Sequence, residues 1–363
     1  MKIKELMPLM NYQGRVFYDE KKEALFTNWT CSGFSFGFKG KSLKAKVVAI
    51  YDQVPDIFNQ GEMPKDWPCI GVNLDGGEEL INRTEVNQEE MEVVLFQADE
   101  TETHEIKVVK LSENARGKIG FVELEYDGEI YKLEDKKKLL MEVIGDSITC
   151  GFGNEAENNG MVFRTSEENG WMSYGAIAAR KLGVDISMIC QSGISAVKPE
   201  HPMFEMSTME DIYEYTDFFY QRRMNQDLVK AELHNDIVVI NLGTNDSNPI
   251  RFYREFGEVE KMEVWFEERY YQFIKQIRQA NGPDTVILAG LGSMDYYLYH
   301  RIVNAVKRYQ DETHDEKIHC FEFVAINIMT EGYGAMGHPS MKTHIRMGNE
   351  LAEVVKKYCG GIL

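Results

Sequence analysis

The sequence lacks several features that mark particular classes of protein. No apolar run approaches the ~20 residues that a membrane-spanning helix needs, and the first eight residues contain no apolar core of a secretion signal. Basic residues are few, since 40 Lys and Arg stand against 59 Asp and Glu, for a formal net charge of -19. Because a phosphate backbone is repelled by such a surface, we expect neither nucleic acid nor a membrane as partner.

Cysteine pairs and metal-binding motifs are lacking as well. The six cysteines are scattered without a CxxC pair or metal-ligand spacing. This distribution predicts free thiols in a reducing compartment, so we expect a cytoplasmic protein. The chain has no HExxH motif and no glycine-rich phosphate loop, and its eight His are dispersed. We therefore expect no metal and no organic cofactor.

Two halves of the chain differ in their hydrophobic periodicity. Up to about residue 132, short alternating stretches such as Phe34–Phe38 and Phe121–Tyr126 are separated by Gly- and Asp-containing turn signals. This pattern predicts an all-β sandwich of the jelly-roll type. A strongly charged stretch follows, and we place the boundary within it, which gives domains 1–135 and 136–363.

In the second half, short apolar strands alternate with longer amphipathic segments. The predicted strands are Leu140–Ile144, Val184–Ile189, Ile237–Asn241, Thr285–Ala289 and Ile318–Phe323. The predicted helices are Gly170–Leu182, Met262–Ala280, Tyr297–Asp311 and Met341–Tyr358. Unbroken apolar strands separated by helices predict a parallel sheet covered on both faces, and hence a three-layer α/β domain.

Residues with catalytic potential follow these predicted strands. Ser147 follows the first strand, Gly193 the second and Asn245 the third, while His338 lies just before the final helix. In open parallel sheets, active sites form outside the carboxyl ends of the strands. A nucleophile, a base and donors for an oxyanion are the minimum set for acyl transfer. The pattern therefore predicts a serine esterase.

Each of these residues also has a purely structural interpretation. A Ser after Gly-Asp is often a helix N-cap, an Asn in a loop often forms an Asx turn, and a His before Pro can be surface decoration. Their joint placement, in order, on successive loops is much harder to obtain by accident. We therefore favour the functional interpretation.

Four ordered blocks resemble those of the SGNH (GDSL) hydrolases. The blocks are Gly145-Asp146-Ser147-Ile148, Gly193, Gly243-Thr244-Asn245-Asp246 and His338. The resemblance extends over residues 140–358 and implies a three-layer, flavodoxin-like domain. It implies that Ser147 attacks and that His338 is the base. It also implies an oxyanion hole formed by the N–H groups of Ser147 and Gly193 with the Asn245 side chain.

A closer resemblance, covering both halves, is to carbohydrate esterase family 2, which joins an N-terminal jelly roll to an SGNH domain. The similar stretches are Trp29 to Gly33, Phe38 to Gly40, Gly145 to Asn154, Glu168 to Tyr174, Val239 to Asp246 and Gly332 to Pro339. This resemblance implies deacetylation of O-acetylated sugars. Trp171 and Asp146 are the candidate substrate-binding residues, and Trp171 serves equally well as a core residue. Because dimers are the commonest soluble oligomers, a homo-oligomer is among the expected states.

One departure from the family pattern concerns the acid that orients the histidine. SGNH enzymes usually carry Asp three residues before the His, where this chain has Ala335, and the closer family often has an acid two before it, where this chain has Met336. We expect a Ser-His dyad with a backbone carbonyl as the orienting group. Glu331 and Glu322 are the alternative acids.

Three functions remain to be compared. The leading one is an intracellular esterase that deacetylates oligosaccharides. The missing acid supports a second, a catalytically weak or inactive sugar-binding protein. A third keeps the site but acts on a lipid or thioester. The predicted rim mixes Tyr, Asn, Asp and Glu, which favours a small acyl group on a polar alcohol.

Overall fold

The chain folds as two compact units in this computed structural model, which describes residues 1–53, 65–134, 138–157, 163–200 and 207–363. The first unit comprises Met1–Lys137 with Val162–Trp171, and the second comprises Lys138–Met161 with Met172–Leu363. The predicted boundary between residues 135 and 136 lies outside the described residues. Within the described residues, no helix is both long enough and apolar enough to cross a membrane.

The first unit, as far as it is described, is built on one antiparallel sheet of nine strands. The elements are α1 (Ile3–Leu6), β1 (Asn11–Gln13), β2 (Phe17–Asp19), β3 (Ala24–Phe26), β4 (Gly33–Ile50), β5 (Asp52–Gln53), β6 (Lys65–Asp66), β7 (Cys69–Leu74), β8 (Leu80–Glu85), β9 (Glu90–Lys110), β10 (Lys118–Tyr126) and β11 (Glu129–Tyr131). The sheet order is β2-β3-β10-β4-β9-β7-β8, β1 and β11 also pair with β4, and β5 pairs with β6 separately.

The long strands β4 and β9 give this sheet its strong curl. They pair antiparallel over most of their length, with register shifts near Gly40 and Leu43, and such irregularities bend a strand and increase its twist. The alternation expected of a half-buried strand holds in the second half of β4, where Leu43 and Ala45 are buried and Lys46 is exposed. The jelly-roll prediction is confirmed.

Residues 163–171, which the sequence pattern assigns to the second domain, belong to the first unit. The backbone N–H of Glu113 donates to the Glu168 carboxylate at 2.9 Å, and the Trp171 indole N–H donates to the Glu78 carbonyl at 2.7 Å. These partners lie 55 and 93 residues apart in the chain. Local periodicity carries no information about contacts at such separations, so the sequence pattern misses this crossing.

The second unit contains a parallel sheet of five strands among its described residues. They are β12 (Leu140–Gly145), β13 (Asp185–Cys190), β14 (Ile237–Asn241), β15 (Val286–Leu291) and β16 (Ile318–Glu322). The order β13-β12-β14-β15-β16 is the flavodoxin-like order 2-1-3-4-5. The predicted strands lie within two residues of these bounds, and the α/β prediction is confirmed.

Helices cover both faces of the parallel sheet. They are α2 (Ser147–Cys150), α3 (Tyr174–Leu182), α4 (Met209–Ile212), α5 (Phe218–Arg223), α6 (Thr244–Phe252), α7 (Val259–Asn281), α8 (Tyr299–Thr313), α9 (Ile328–Glu331) and α10 (Met341–Cys359). The chain steps from β12 to β13 in one direction and from β14 through β16 in the other. Because such crossovers are right-handed, the two directions place α3 on one face and α7 and α8 on the other. Helix α10 packs on α3.

Candidate active site

A tight turn between β12 and α2 holds Ser147. A Cβ on Gly145 would lie 1.8 Å from the Thr149 hydroxyl oxygen, so this position admits only glycine. Asp146 is the N-cap of α2, and its Oδ1 accepts a hydrogen bond from the Ile148 N–H at 2.9 Å. The capped turn places Ser147, 8% exposed, at the carboxyl end of the sheet.

Ser147 and His338 lie in hydrogen-bonding contact. The Ser147 hydroxyl oxygen is 2.9 Å from His338 Nε2, and the Ala335 carbonyl oxygen is 3.1 Å from Nδ1. Because a carbonyl can only accept, Nδ1 carries the proton and Nε2 is left to accept from the serine hydroxyl. The Phe152 ring packs against the imidazole, with 4.5 Å between ring centroids. This arrangement has the geometry of a nucleophile and its general base.

The histidine loop, residues 334–338, is a compact turn joined to the segment that follows Ser147. Within it the Gly334 N–H donates to the His338 carbonyl at 2.8 Å, and the His338 N–H donates to the Ala335 carbonyl at 3.0 Å. The Ala335 N–H donates to the Gly153 carbonyl at 3.0 Å. Met336 takes a left-handed conformation, with φ of 51°. These bonds aim the Ala335 carbonyl at the imidazole.

The two acids considered as alternative orienting groups occupy other positions. The Glu331 carboxylate accepts from Arg346 at 2.5 Å, from the Thr343 hydroxyl at 3.1 Å and from the Asn327 N–H at 3.0 Å. The Arg346 guanidinium is the main reason that the pKa of Glu331 is lowered. Glu322 is exposed at the end of β16. The orienting contact that the structure shows is therefore a backbone one.

Donors for an oxyanion come from three separate loops. Within the part of the chain that is described, neither the Ser147 N–H nor the Gly193 N–H has a hydrogen-bond partner. Gly193 has φ of 78°, and an added Cβ would meet nothing within 4 Å. The Asn245 side-chain amide donates to the Ile194 carbonyl at 3.0 Å and lies 3.4 Å from Asp146 Oδ2. Asn245 thus bridges the loop of Ser147 and the loop of Gly193.

Asp146 is built into the protein interior. It is 1% exposed, with one carboxylate oxygen on the Ile148 N–H and the other facing Asn245. Burial raises its pKa to about 7, assisted by the nearby charge of Asp246 and opposed by the bond from Ile148. These are the contacts of a residue that positions Asn245, whereas the sequence predicted that Asp146 binds substrate.

The side chains of Trp171, Tyr174, Tyr296 and Tyr297 are mostly packed or hydrogen-bonded within the protein. Trp171 is 4% exposed in the first unit, which agrees with its alternative interpretation as a core residue. Tyr174 is fully buried, and its hydroxyl is 2.7 Å from that of Thr149. The hydroxyls of Tyr296 and Tyr297 donate to the Phe323 carbonyl and to the Glu263 carboxylate respectively.

Three contributions to the site were not predicted from the sequence. They are the identity of the orienting carbonyl, the buried carboxylate of Asp246, and His344 behind the site. His344 is fully buried and its Nδ1 accepts from the Tyr174 N–H at 3.2 Å. Burial lowers its pKa to about 3, with a further effect from the neighbouring His338. Asp246 lies within the motif already noted, but only the folded chain shows what its side chain contacts.

Known protein families match both halves of the chain. Residues 143–344 match the GDSL-like Lipase/Acylhydrolase family, and residues 12–133 match the Carbohydrate esterase 2 N-terminal family. The cellulase/esterase CelE of Acetivibrio thermocellus is 30% identical over 262 residues, which are 71% of this chain but only 30% of that protein. An acetylxylan esterase / glucomannan deacetylase of Cellvibrio japonicus is 21% identical over 331 residues, 90% of this chain and 85% of the relative.

Solved structures share the fold over both units. An acetyl xylan esterase, Est2A, from the rumen bacterium Butyrivibrio proteoclasticus superposes with a TM-score of 0.83 at 17% identity, covering 99% of each chain. A family two carbohydrate esterase from Clostridium thermocellum, in complex with cellohexaose, gives a TM-score of 0.80 at 23% identity and covers 97% of this chain and 99% of the other.

Proposed function

This chain belongs to the GDSL-like lipase/acylhydrolase family, and we propose on that basis that it is a serine esterase. We propose that it removes acetyl groups from oligosaccharides. The observation that carries the proposal is the 2.9 Å contact between the Ser147 hydroxyl and His338 Nε2, with Nδ1 held by a carbonyl. The sugar substrate is supported by the relatives, which include an acetylxylan esterase / glucomannan deacetylase.

The first half of the reaction forms an acetyl-enzyme. The Ser147 oxygen attacks the acetyl carbonyl carbon while His338 Nε2 takes the hydroxyl proton. The negative charge that develops on the carbonyl oxygen is stabilised by the N–H groups of Ser147 and Gly193 and by the Asn245 N–H that in the resting site makes only the long, 3.4 Å contact with Asp146. The bond to the sugar oxygen then breaks, and His338 returns the proton to that oxygen, which leaves as the free hydroxyl.

The second half regenerates the serine. A water molecule gives a proton to His338 Nε2 and attacks the acetyl-serine carbonyl, with the same donors stabilising the second oxyanion. The bond between the acetyl carbon and the Ser147 oxygen then breaks, that oxygen takes the proton back from His338 Nε2, and acetic acid leaves. Throughout, the Ala335 carbonyl keeps Nδ1 protonated and the ring aimed at Ser147.

One observation favours hydrolysis of a more apolar ester as the second candidate. The chain leading to His338 exposes apolar side chains: Val324 is 61% exposed, Met329 92% and Met336 40%. These three side chains give that segment exposed apolar surface. A lipid or thioester substrate would show itself as a rise in kcat/KM with acyl length.

The decisive experiment compares the wild type with Ser147→Ala. We expect acetate release from acetylated xylo- and manno-oligosaccharides, falling at least about 10³-fold in the variant because the nucleophile is gone. Ser166→Ala is the matched control, since this serine is exposed and in the first unit. Unchanged turnover in Ser147→Ala would reject the proposal. On 4-nitrophenyl esters from acetate to octanoate, a preference for octanoate would favour the second candidate.

Location and assembly stay predictions. A cytoplasmic location is supported by the six cysteines, all of which are free thiols. A homo-oligomer is proposed only as a common state of soluble enzymes.

A further inference from the structure

Asp246 has no part in the mechanism above, yet it is buried beside the site with both carboxylate oxygens engaged. It is 6% exposed, Oδ2 accepts from the Ala196 N–H at 2.9 Å, and Oδ1 accepts from the Val197 N–H at 3.2 Å. Both donors belong to the chain that follows β13. We call residues 191–197 the oxyanion loop, because Gly193 lies in it.

The turn after β14 holds the oxyanion loop through two adjacent residues. Asn245 donates to the Ile194 carbonyl at 3.0 Å. Asp246 accepts from the N–H groups of Ala196 and Val197 in the same loop. The same end of the loop also contacts α4, since the Ser195 and Ala196 carbonyls accept from the N–H groups of Met209 and Glu210. Gly193 itself lies in open space.

We propose that Asp246 is a positioning residue for ester hydrolysis, because it anchors the oxyanion loop and thereby places the Gly193 N–H and the Ile194 carbonyl that orients Asn245. The inference rests on the proposed function for its catalytic consequence. Catalytic donors must lie within about 0.5 Å of their productive position, so a loosened loop should lower the rate.

Hydrogen exchange tests the anchoring without reference to activity. In Asp246→Ala, the peptide covering residues 191–197 should exchange at least about tenfold faster, as expected when bonds of this kind are lost. Asp217→Ala is the matched control, because Asp217 is also buried, lies in the same unit and caps α5 through the Tyr220 N–H at 3.0 Å. Unchanged exchange of residues 191–197 would overturn the inference. Asp246→Asn, which keeps one acceptor oxygen, replaces the alanine variant if that variant does not fold.

Kinetics test the positioning role. Asp246→Ala should lower kcat by about 10- to 100-fold while KM changes by less than about threefold, because the oxyanion exists only in the transition state. Asp217→Ala should keep its kcat. The fold-losses of Asp246→Ala and Asn245→Ala should combine to less than their product, since both act through the same donors.

Three kinetic results would overturn the role: kcat of Asp246→Ala within twofold of the wild type, an equal loss in Asp217→Ala, or fully multiplicative losses with Asn245→Ala. A wild type without esterase activity would instead reject the proposed function. The exchange measurement would still decide whether Asp246 anchors the loop.

Discussion

The Ala335 carbonyl contacts His338 where a carboxylate stands in a Ser-His-Asp triad. The carbonyl fixes the Nδ1–H tautomer as a carboxylate does, because it can only accept. It carries a partial charge and not a full one, so it stabilises the imidazolium of the transition state less. The imidazole of His338 is therefore oriented without a carboxylate, and Ser147 and His338 form a catalytic dyad.

Substitution of the two alternative acids tests the dyad. Glu331→Gln and Glu322→Gln should each retain kcat within about threefold, whereas amide replacement of a true triad acid costs about 10⁴-fold. Glu331→Gln should also lower the free energy of unfolding by about 1–3 kcal/mol, because the Arg346 guanidinium loses a charged partner. Kinetics on 4-nitrophenyl acetate and urea unfolding provide both values. A hundredfold loss of kcat in either folded variant would restore an acid to the mechanism.

His344 links stability to pH. Its pKa falls from 6.5 to about 3 on folding, chiefly because it is buried, so the folded state binds fewer protons than the unfolded chain. The stabilisation is complete above the unfolded pKa and is lost as pH falls. Between pH 7 and pH 5 the loss is about 2 kcal/mol by linkage.

His344→Asn should remove this loss, since the amide oxygen can accept from the Tyr174 N–H without titrating. Asp146 and Asp246 act in the opposite direction, because burial raises both pKa values to about 7 and stability gained from them increases as pH falls from there. The test is therefore the difference between wild type and variant in urea unfolding at the two pH values. Parallel pH dependences would refute the assignment.

At the scale of elements, the site depends on the contact between the segment after α2 and the histidine loop. A Cβ on Gly153 would lie 2.2 Å from the Ala335 Cβ. Gly153→Ala should therefore displace the orienting carbonyl and lower kcat by about 100-fold, the effect of a misplacement near 1 Å. Gly183→Ala is the matched control, with a similar φ of 69° but nothing within 4 Å.

The control should lose about 1–2 kcal/mol of stability from left-handed strain and retain its kcat. Steady-state kinetics and thermal unfolding of both variants decide the matter. Equal kcat losses in the two variants would attribute the effect to strain and not to the histidine loop.

Elements with clear periodicity could be predicted and short ones could not. The five strands of the second unit and helices α7, α8 and α10 were predicted to within three residues, because each buries a regular apolar face. Helices α2 and α9 have four residues each, too few to show a period. Helix α6 contains Pro249, which in a sequence indicates a helix end.

At the scale of the whole molecule, the order of strands and loops along the chain predicted the site residues, whereas contacts between distant segments could not be predicted. The rule that parallel sheets place loops at one edge was enough to select Ser147, Gly193, Asn245 and His338. It could not show that Asp246 anchors the oxyanion loop, because that depends on the conformation of two loops. Nor could it show that residues 163–171 return to the first unit, where Trp171 is buried.

The most direct test of the central claim is to label the serine of the intact protein with a fluorophosphonate ester and locate the adduct by mass spectrometry. The account predicts one adduct per chain, on Ser147, absent in Ser147→Ala and formed at least about 100-fold more slowly in His338→Ala, which has lost its general base. An unlabelled wild type, or an adduct on another residue, would contradict the account.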